Sequence, residues 1–289
     1  MNNQFIRTDL ALEAQESLEP ASESMHGIIV KETFHEESGA NITRVDITTK
    51  NGAKAIGKPM GTYVTIEAPA LDLPDEEYHR SISMEISRQL KEMIPSFEKE
   101  QSILVVGLGN RDVTADSLGP SVIDNLYITR HIVKEYGKDA CLTNGRKKMH
   151  ILSSIAPGVM AQTGMETSEI LKGVVCETKP DLMIVIDSLA ARSIRRLNRT
   201  VQISNSGIQP GSGVGNHRNA LTMESLGIPV IAIGVPIVVD AATIVKDAVG
   251  ECNIMAELNN MYVTCKDVDT AVKRLSFTIS EALNITMAG

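Results

Sequence analysis

The chain has 289 residues, of which 43% are apolar but only 3% aromatic, with no Trp, and its formal charge is −8. That length allows one large domain or two small ones with a substantial buried core. The acidic balance excludes the basic face that phosphate neutralisation needs, so no direct nucleic-acid binding is expected.

Residues 1–25 carry Glu13, Glu16, Glu19 and Glu23 among Ala, Ser and Gln, and Pro20 interrupts any helix. This reads as a flexible acidic leader with little to bury, ahead of a single α/β domain over 26–289. The start lacks the apolar h-region of a signal peptide, and no stretch reaches the roughly 18 apolar residues of a membrane span. A cytoplasmic location with no membrane partner is the expectation. Cys141, Cys176, Cys252 and Cys265 are scattered without a C-x-x-C pair, which argues against a zinc knuckle or redox motif and for buried or idle thiols.

From Gly27 the pattern turns β-rich: Gly27–Val30, Ile42–Thr48 and Tyr63–Ile66, with Asn51-Gly52 a turn signal between the last two. Pro74 followed by Asp75, Glu76 and Glu77 starts a helix whose apolar face is Ile82, Ile86, Leu90, Met93 and Phe97, and Pro95 ends or kinks it. Continuous apolar runs then follow at Ile103–Val106, Leu182–Ile186 and Val230–Ile233, with a further strand expected over Met149–Ile155. Between them lie helical patterns over Ser121–Tyr136, Glu166–Glu177, Ala241–Val249 and Val268–Leu283. The alternation predicts an α/β fold with a mixed, mostly parallel twisted sheet and helices on both faces.

In open α/β sheets the chemistry collects where the strands end. Three places qualify: the loop Gly107–Asp116 after an apolar strand, Asp187 after Ile186, and the glycine-rich run Gly207–His217. The first is not a dinucleotide fingerprint, because Asp112 stands where the third glycine belongs and an acid would repel a pyrophosphate. The tight Gly107-to-Gly109 turn instead brings the backbone close to a substrate or to another loop. Asp116 and Asp187 could each be a helix N-cap or half of a carboxylate pair; residue type and spacing leave both open. No G-x-S-x-G elbow and no Cys/His nucleophile context is present.

Four blocks carry a resemblance. Gly107–Asn110 with Val113–Pro120, Ala156–Glu166, Val185–Ser193 and Gln209–Arg218, in that order, resemble the germination proteases of spore-forming bacteria. The resemblance covers nearly the whole chain. It implies a phosphorylase/hydrolase-like α/β fold distantly similar to hydrogenase maturation proteases, and an endopeptidase that degrades small acid-soluble spore proteins in the spore core during germination. It implies a catalytic pair at Asp116 and Asp187, and a homotetramer made as a self-processing zymogen. The family's cleavage pattern of Thr-Glu, an apolar residue, Ala and a following Glu has a counterpart in Thr8-Asp9-Leu10-Ala11-Leu12-Glu13, which places propeptide cleavage between Asp9 and Leu10. Gly109, Asn110, Gly211, Gly213, Asn216, His217 and Arg192 are the candidates for substrate or oxyanion contacts. No cofactor is expected. The competing readings are a metal-dependent peptidase of the hydrogenase-maturation type, for which His217 is the sole histidine after Asp187, and a non-catalytic peptide-binding homologue.

Overall fold

The computed structural model describes residues 8–18, 27–141, 149–212, 218–249, 258 and 261–288. Nine strands among these form one sheet: β1 Ile28–His35, β2 Ala40–Ile47, β3 Gly61–Glu67, β4 Ser102–Gly107, β5 Ile151–Ile155, β6 Leu182–Ala191, β7 Thr200–Ser204, β8 Val230–Asp240 and β9 Tyr262–Val263. Their order is β1-β2-β3-β7-β8-β6-β4-β5, with β9 paired to β8. The β8-β6-β4-β5 half is parallel, whereas β1, β2, β3 and β7 extend it by antiparallel pairing. The fold is the expected mixed α/β sheet covered by helices.

Alternation along the strands divides the core in two. On one face Ile103, Val105, Leu182, Ile184, Ile186, Ile231 and Ile233 pack with Ile82, Ile86 and Leu90 of the helix Glu76–Met93, and with Leu275, Ile279 and Leu283 of the helix Val268–Met287. On the other, Leu104, Val106, Met183 and Val185 meet Leu171 of the helix Thr167–Thr178. The unbroken apolar runs of β4, β6 and β8 follow from this double coverage. No helix among the described residues is long and apolar enough to cross a membrane.

Several local expectations change. Asn51-Gly52 does not turn a hairpin; it lies in a short helix, Lys50–Ile56, whose N-cap Thr49 accepts a bond from Gly52 N and whose end is the left-handed Gly57. Two good caps outweigh a local turn signal. The pattern over Ser121–Tyr136 splits into the helices Leu118–Ile123 and Arg130–Tyr136. Cys176 and Cys265 are exposed free thiols rather than core residues. The largest difference is at the start of the chain. Thr8–Leu18 has a great deal to bury: Leu10, Ala11, Leu12, Glu13 and Ala14 are all buried, the last four opening the helix Ala11–Glu16.

Candidate active site

Asp187 does not close its strand. β6 continues through Ala191, so no helix follows for Asp187 to cap, and Arg192 comes directly after the strand's end. Alternation puts Asp187 on the face of Met183 and Val185, where an apolar residue would have continued the core. It pairs in register with Gly234 of β8, and Gly234 pairs on its other side with Gln202 of β7. A Cβ on Gly234 would lie 2.5 Å from the Leu189 side chain. The row Asp187, Gly234, Gln202 is therefore a carboxyl and an amide, with the Leu189 side chain over the bare glycine between them.

The second carboxylate arrives by a tight turn. Asp116 ends the 3₁₀ turn Thr114–Asp116, and its Oδ2 accepts from Asn110 N at 2.8 Å. Gly109, with φ +112°, makes that approach possible, because a Cβ there would lie 1.9 Å from the Asp116 carbonyl oxygen. Gly107 is equally constrained, its would-be Cβ 2.3 Å from the Gly119 carbonyl oxygen. The close glycine turn thus serves another loop. Asp116 is no helix cap either: the next helix begins at Leu118 after Ser117, and the carboxylate is bonded back to Asn110.

Burial sets the electrostatics. Asp187 is 6% exposed, and its pKa stands well above the usual carboxylate range. Loss of solvation is the main cause; the charges of Asp116 and then Asp9 add to it, and the Ser188 N–H on Asp187 Oδ1 at 2.9 Å opposes it. Asp116 is only half-buried, and its pKa is raised by desolvation against the Asn110 bond. The Asp116 charge thus disfavours ionisation of Asp187.

The N-terminal segment runs along the end of β6, beyond Asp187. Asp9 N donates to Ala190 O (2.9 Å), while the Asp9 carboxylate accepts from Ala190 N (2.9 Å) and from Ser212 Oγ (2.6 Å). Leu10 is fully buried among Leu189, Ala191, Leu197 and Val239. Gln202 Nε2 donates to Asp9 O (3.1 Å), and its Oε1 accepts from Ala11 N (2.6 Å). Lys58 Nζ donates to Thr8 O (3.0 Å); burial pulls that amine's pKa down, against the charges of Asp9 and Glu13. Glu13 is 3% exposed, and its carboxylate accepts from the N–H groups of Arg192 (2.7 Å) and Ser193 (2.9 Å), from the Thr8 hydroxyl, and pairs with Arg196 (3.4 Å).

Of the residues singled out from sequence, Asp116, Asn110 and Gly109 form one cluster, and Asp187, Asp9, Leu10 and Arg192 another that Asp187 joins to the first. Arg192 meets the segment through its backbone N–H. Gly211, with φ +71°, shapes the turn before Ser212, and the loop reaches the segment through the Ser212 hydroxyl. Gly213, Asn216 and His217 lie outside the described residues. Gln202, Lys58, Ser193 and Arg196 escape sequence reasoning; the one trace is a Gln inside the apolar run Val201-Gln202-Ile203. Among the described residues no group of three or more His, Cys, Asp or Glu is placed to hold a metal ion.

The sequence matches the family model described as germination protease over residues 6–255. A germination protease of Caldanaerobacter subterraneus subsp. tengcongensis is 42% identical over 98% of this chain and 94% of its own. Those of Priestia megaterium (48% identical, 79% of this chain) and Bacillus subtilis (45% identical, 81% of this chain) are matched over only 62% and 63% of their own lengths. Among solved structures, a [NiFe] hydrogenase maturation protease from Thermococcus kodakarensis aligns over 65% of this chain and 95% of its own, with 19% identity and a TM-score of 0.32.

Proposed function

Since the chain belongs to the germination protease family, we propose that it is an endopeptidase made as a self-processing zymogen, in which Asp116 and Asp187 activate water. The observation that carries this reading is the seating of Thr8–Glu13 along β6 just beyond Asp187, with the Asp9 charge felt at Asp187.

The roles follow from burial. Asp187, the more deeply buried and more strongly raised, keeps the proton; Asp116, half-buried and bonded to an N–H, is the ionised partner. Asp116 takes a proton from water as the water oxygen bonds to the Asp9 carbonyl carbon. Asp187 then gives its proton to the Leu10 nitrogen as the Asp9–Leu10 bond breaks. One C–O bond replaces one C–N bond, and the two carboxyls end with their protonation exchanged.

In this reading residues 1–25 are a leader containing a propeptide that is cut off between Asp9 and Leu10, and 26–289 the protease domain. The leader's contacts are a rehearsal of the substrate's: small acid-soluble spore proteins would present an acid in the place of Asp9, an apolar side chain in the Leu10 pocket and a glutamate at the Glu13 position. Gly109 and Asn110 act by holding Asp116. Arg192, Gly211, Gly213, Asn216 and His217 belong to the proposed substrate side, the enzyme acting as a homotetramer in the spore core. Asp116→Asn and Asp187→Asn test the pair. Each is expected to abolish cleavage of the chain's own leader and of added spore proteins, and normal cleavage by either variant would sink the aspartate mechanism.

A further inference from the structure

We infer that Gln202 is a catalytic residue, its amide both registering the peptide and stabilising the oxyanion formed at the cleaved carbonyl. This rests on the peptidase reading above and adds to it a group that neither aspartate can replace.

Asp187, Gly234 and Gln202 stand opposite one another on three adjacent strands, so their side-chain positions share one face of the sheet. Val201 and Ile203 point into the opposite core, as do Ile233 and Val235, which fixes Gln202 on the Asp187 face. Two strand spacings separate the carboxyl and amide rows, roughly 10 Å. The Leu189 side chain lies over the bare Gly234 between the two rows, and packs against Leu10 of the docked segment.

The docked segment meets the Gln202 amide in an extended conformation. Leu10 is extended, φ −80° and ψ 124°, so the carbonyl before it and the N–H after it point the same way. The amide of Gln202 spans both: Nε2 donates to Asp9 O at 3.1 Å, and Oε1 accepts from Ala11 N at 2.6 Å. An amide side chain thus replaces the strand that would otherwise pair with residue 10. The two bonds flank the Asp9–Leu10 peptide and leave its carbonyl carbon free. As water adds to that carbon, the carbonyl oxygen gains negative charge at the atom already facing the Nε2 hydrogen. The bond strengthens where charge develops and no proton moves to or from Gln202. Asp187 stays available for the leaving nitrogen. Gln202 is itself 9% exposed and lies in a strand paired on both edges, so its amide is held in place before any substrate arrives.

The test uses the full chain and a synthetic peptide of the sequence Thr8–Glu13 with short flanks, cleaved in trans by the self-processed enzyme. Gln202→Met keeps the length and removes both hydrogen bonds; Gln202→Glu keeps an acceptor for the residue-11 N–H but sets a carboxylate against the oxyanion. Both are expected to lose about 100-fold or more in kcat. Gln202→Glu should keep KM within about threefold of wild type, since the remaining subsites and the Oε1 contact persist. A purely structural role would instead lower Tm and raise KM with kcat unchanged. The proposal is overturned if either variant turns the peptide over at the wild-type kcat. If wild type itself leaves the peptide intact, both this inference and the peptidase reading fall; wild-type cleavage with unaffected Gln202 variants removes this inference alone.

Discussion

Glu13→Gln is the substitution whose consequence the geometry specifies most closely. In the wild type both carboxylate oxygens accept backbone N–H groups, from Arg192 and Ser193, and Arg196 stands 3.4 Å away. The amide offers one oxygen in place of two and turns an NH2 toward the second N–H. One charge-assisted bond is lost and the other becomes neutral, a loss of about 2–3 kcal/mol in docking the segment. That corresponds to a roughly 30- to 150-fold shift toward the undocked leader. Arg196 is retained in the variant by Glu67 and Glu16, at 2.9 and 2.6 Å, so the fold should not suffer. In an Asp187→Asn background, which holds the leader uncut, hydrogen exchange of the Leu10–Glu16 amides reads the docking equilibrium directly. Exchange there should accelerate by that factor, with β6 and β8 unchanged. Equal protection with Gln would show that the Glu13 carboxylate does not anchor the segment.

Other consequences concern the frame of the site. Gly109→Ala forces a Cβ to within 1.9 Å of the Asp116 carbonyl oxygen at φ +112°, so the variant should lose several °C in Tm and nearly all cleavage; wild-type activity would contradict the role given to that turn. Gly234→Val drives a side chain into Leu189, which packs against Leu10, and is expected to abolish peptide cleavage and expose the leader to added protease. Asp187 has a folded-state pKa raised above 3.8, so its proton binding favours the folded chain in acid, and that contribution fades as pH rises through the folded value. Asp187→Asn should therefore gain roughly 2 °C or more in Tm at neutral pH and lose that part of the acid-to-neutral decline; parallel Tm curves for variant and wild type would refute it. Chelator followed by dialysis should leave cleavage intact, and loss of activity restored by one divalent ion would replace the carboxylate mechanism with a metal-dependent one.

The sheet was legible where burial on both faces writes an unbroken apolar run, as in Leu182–Ile186 and Val230–Ile233. Asn51-Gly52 misleads because a turn dipeptide is a local signal, and Thr49 with Gly57 supplies caps that make a helix of the same residues. Asp116 and Asp187 could be picked out as residues but not as a pair, since their coupling depends on how Gly109 and Gly119 let two loops close on the sheet. A Cβ at Gly119 would lie 2.3 Å from Leu108 O and 2.7 Å from Ile186 O. Gln202 was illegible for a related reason: a single polar residue in a five-residue strand gains meaning only once β7, β8 and β6 are aligned across Gly234. The leader shows the limit of composition. Its acids suggest solvent, yet Glu13 is buried because two N–H groups and an arginine wait for it, and Leu10 because β6 and β8 leave it a pocket.

The central claim is that the carboxylate pair cuts the bond laid across it. Incubating the purified chain at mildly acidic pH, followed by N-terminal sequencing of wild type, Asp116→Asn and Asp187→Asn, tests this most directly. A new terminus at Leu10 in the wild type, absent from both variants, is the predicted result. A terminus elsewhere, or the same terminus in either variant, would contradict it.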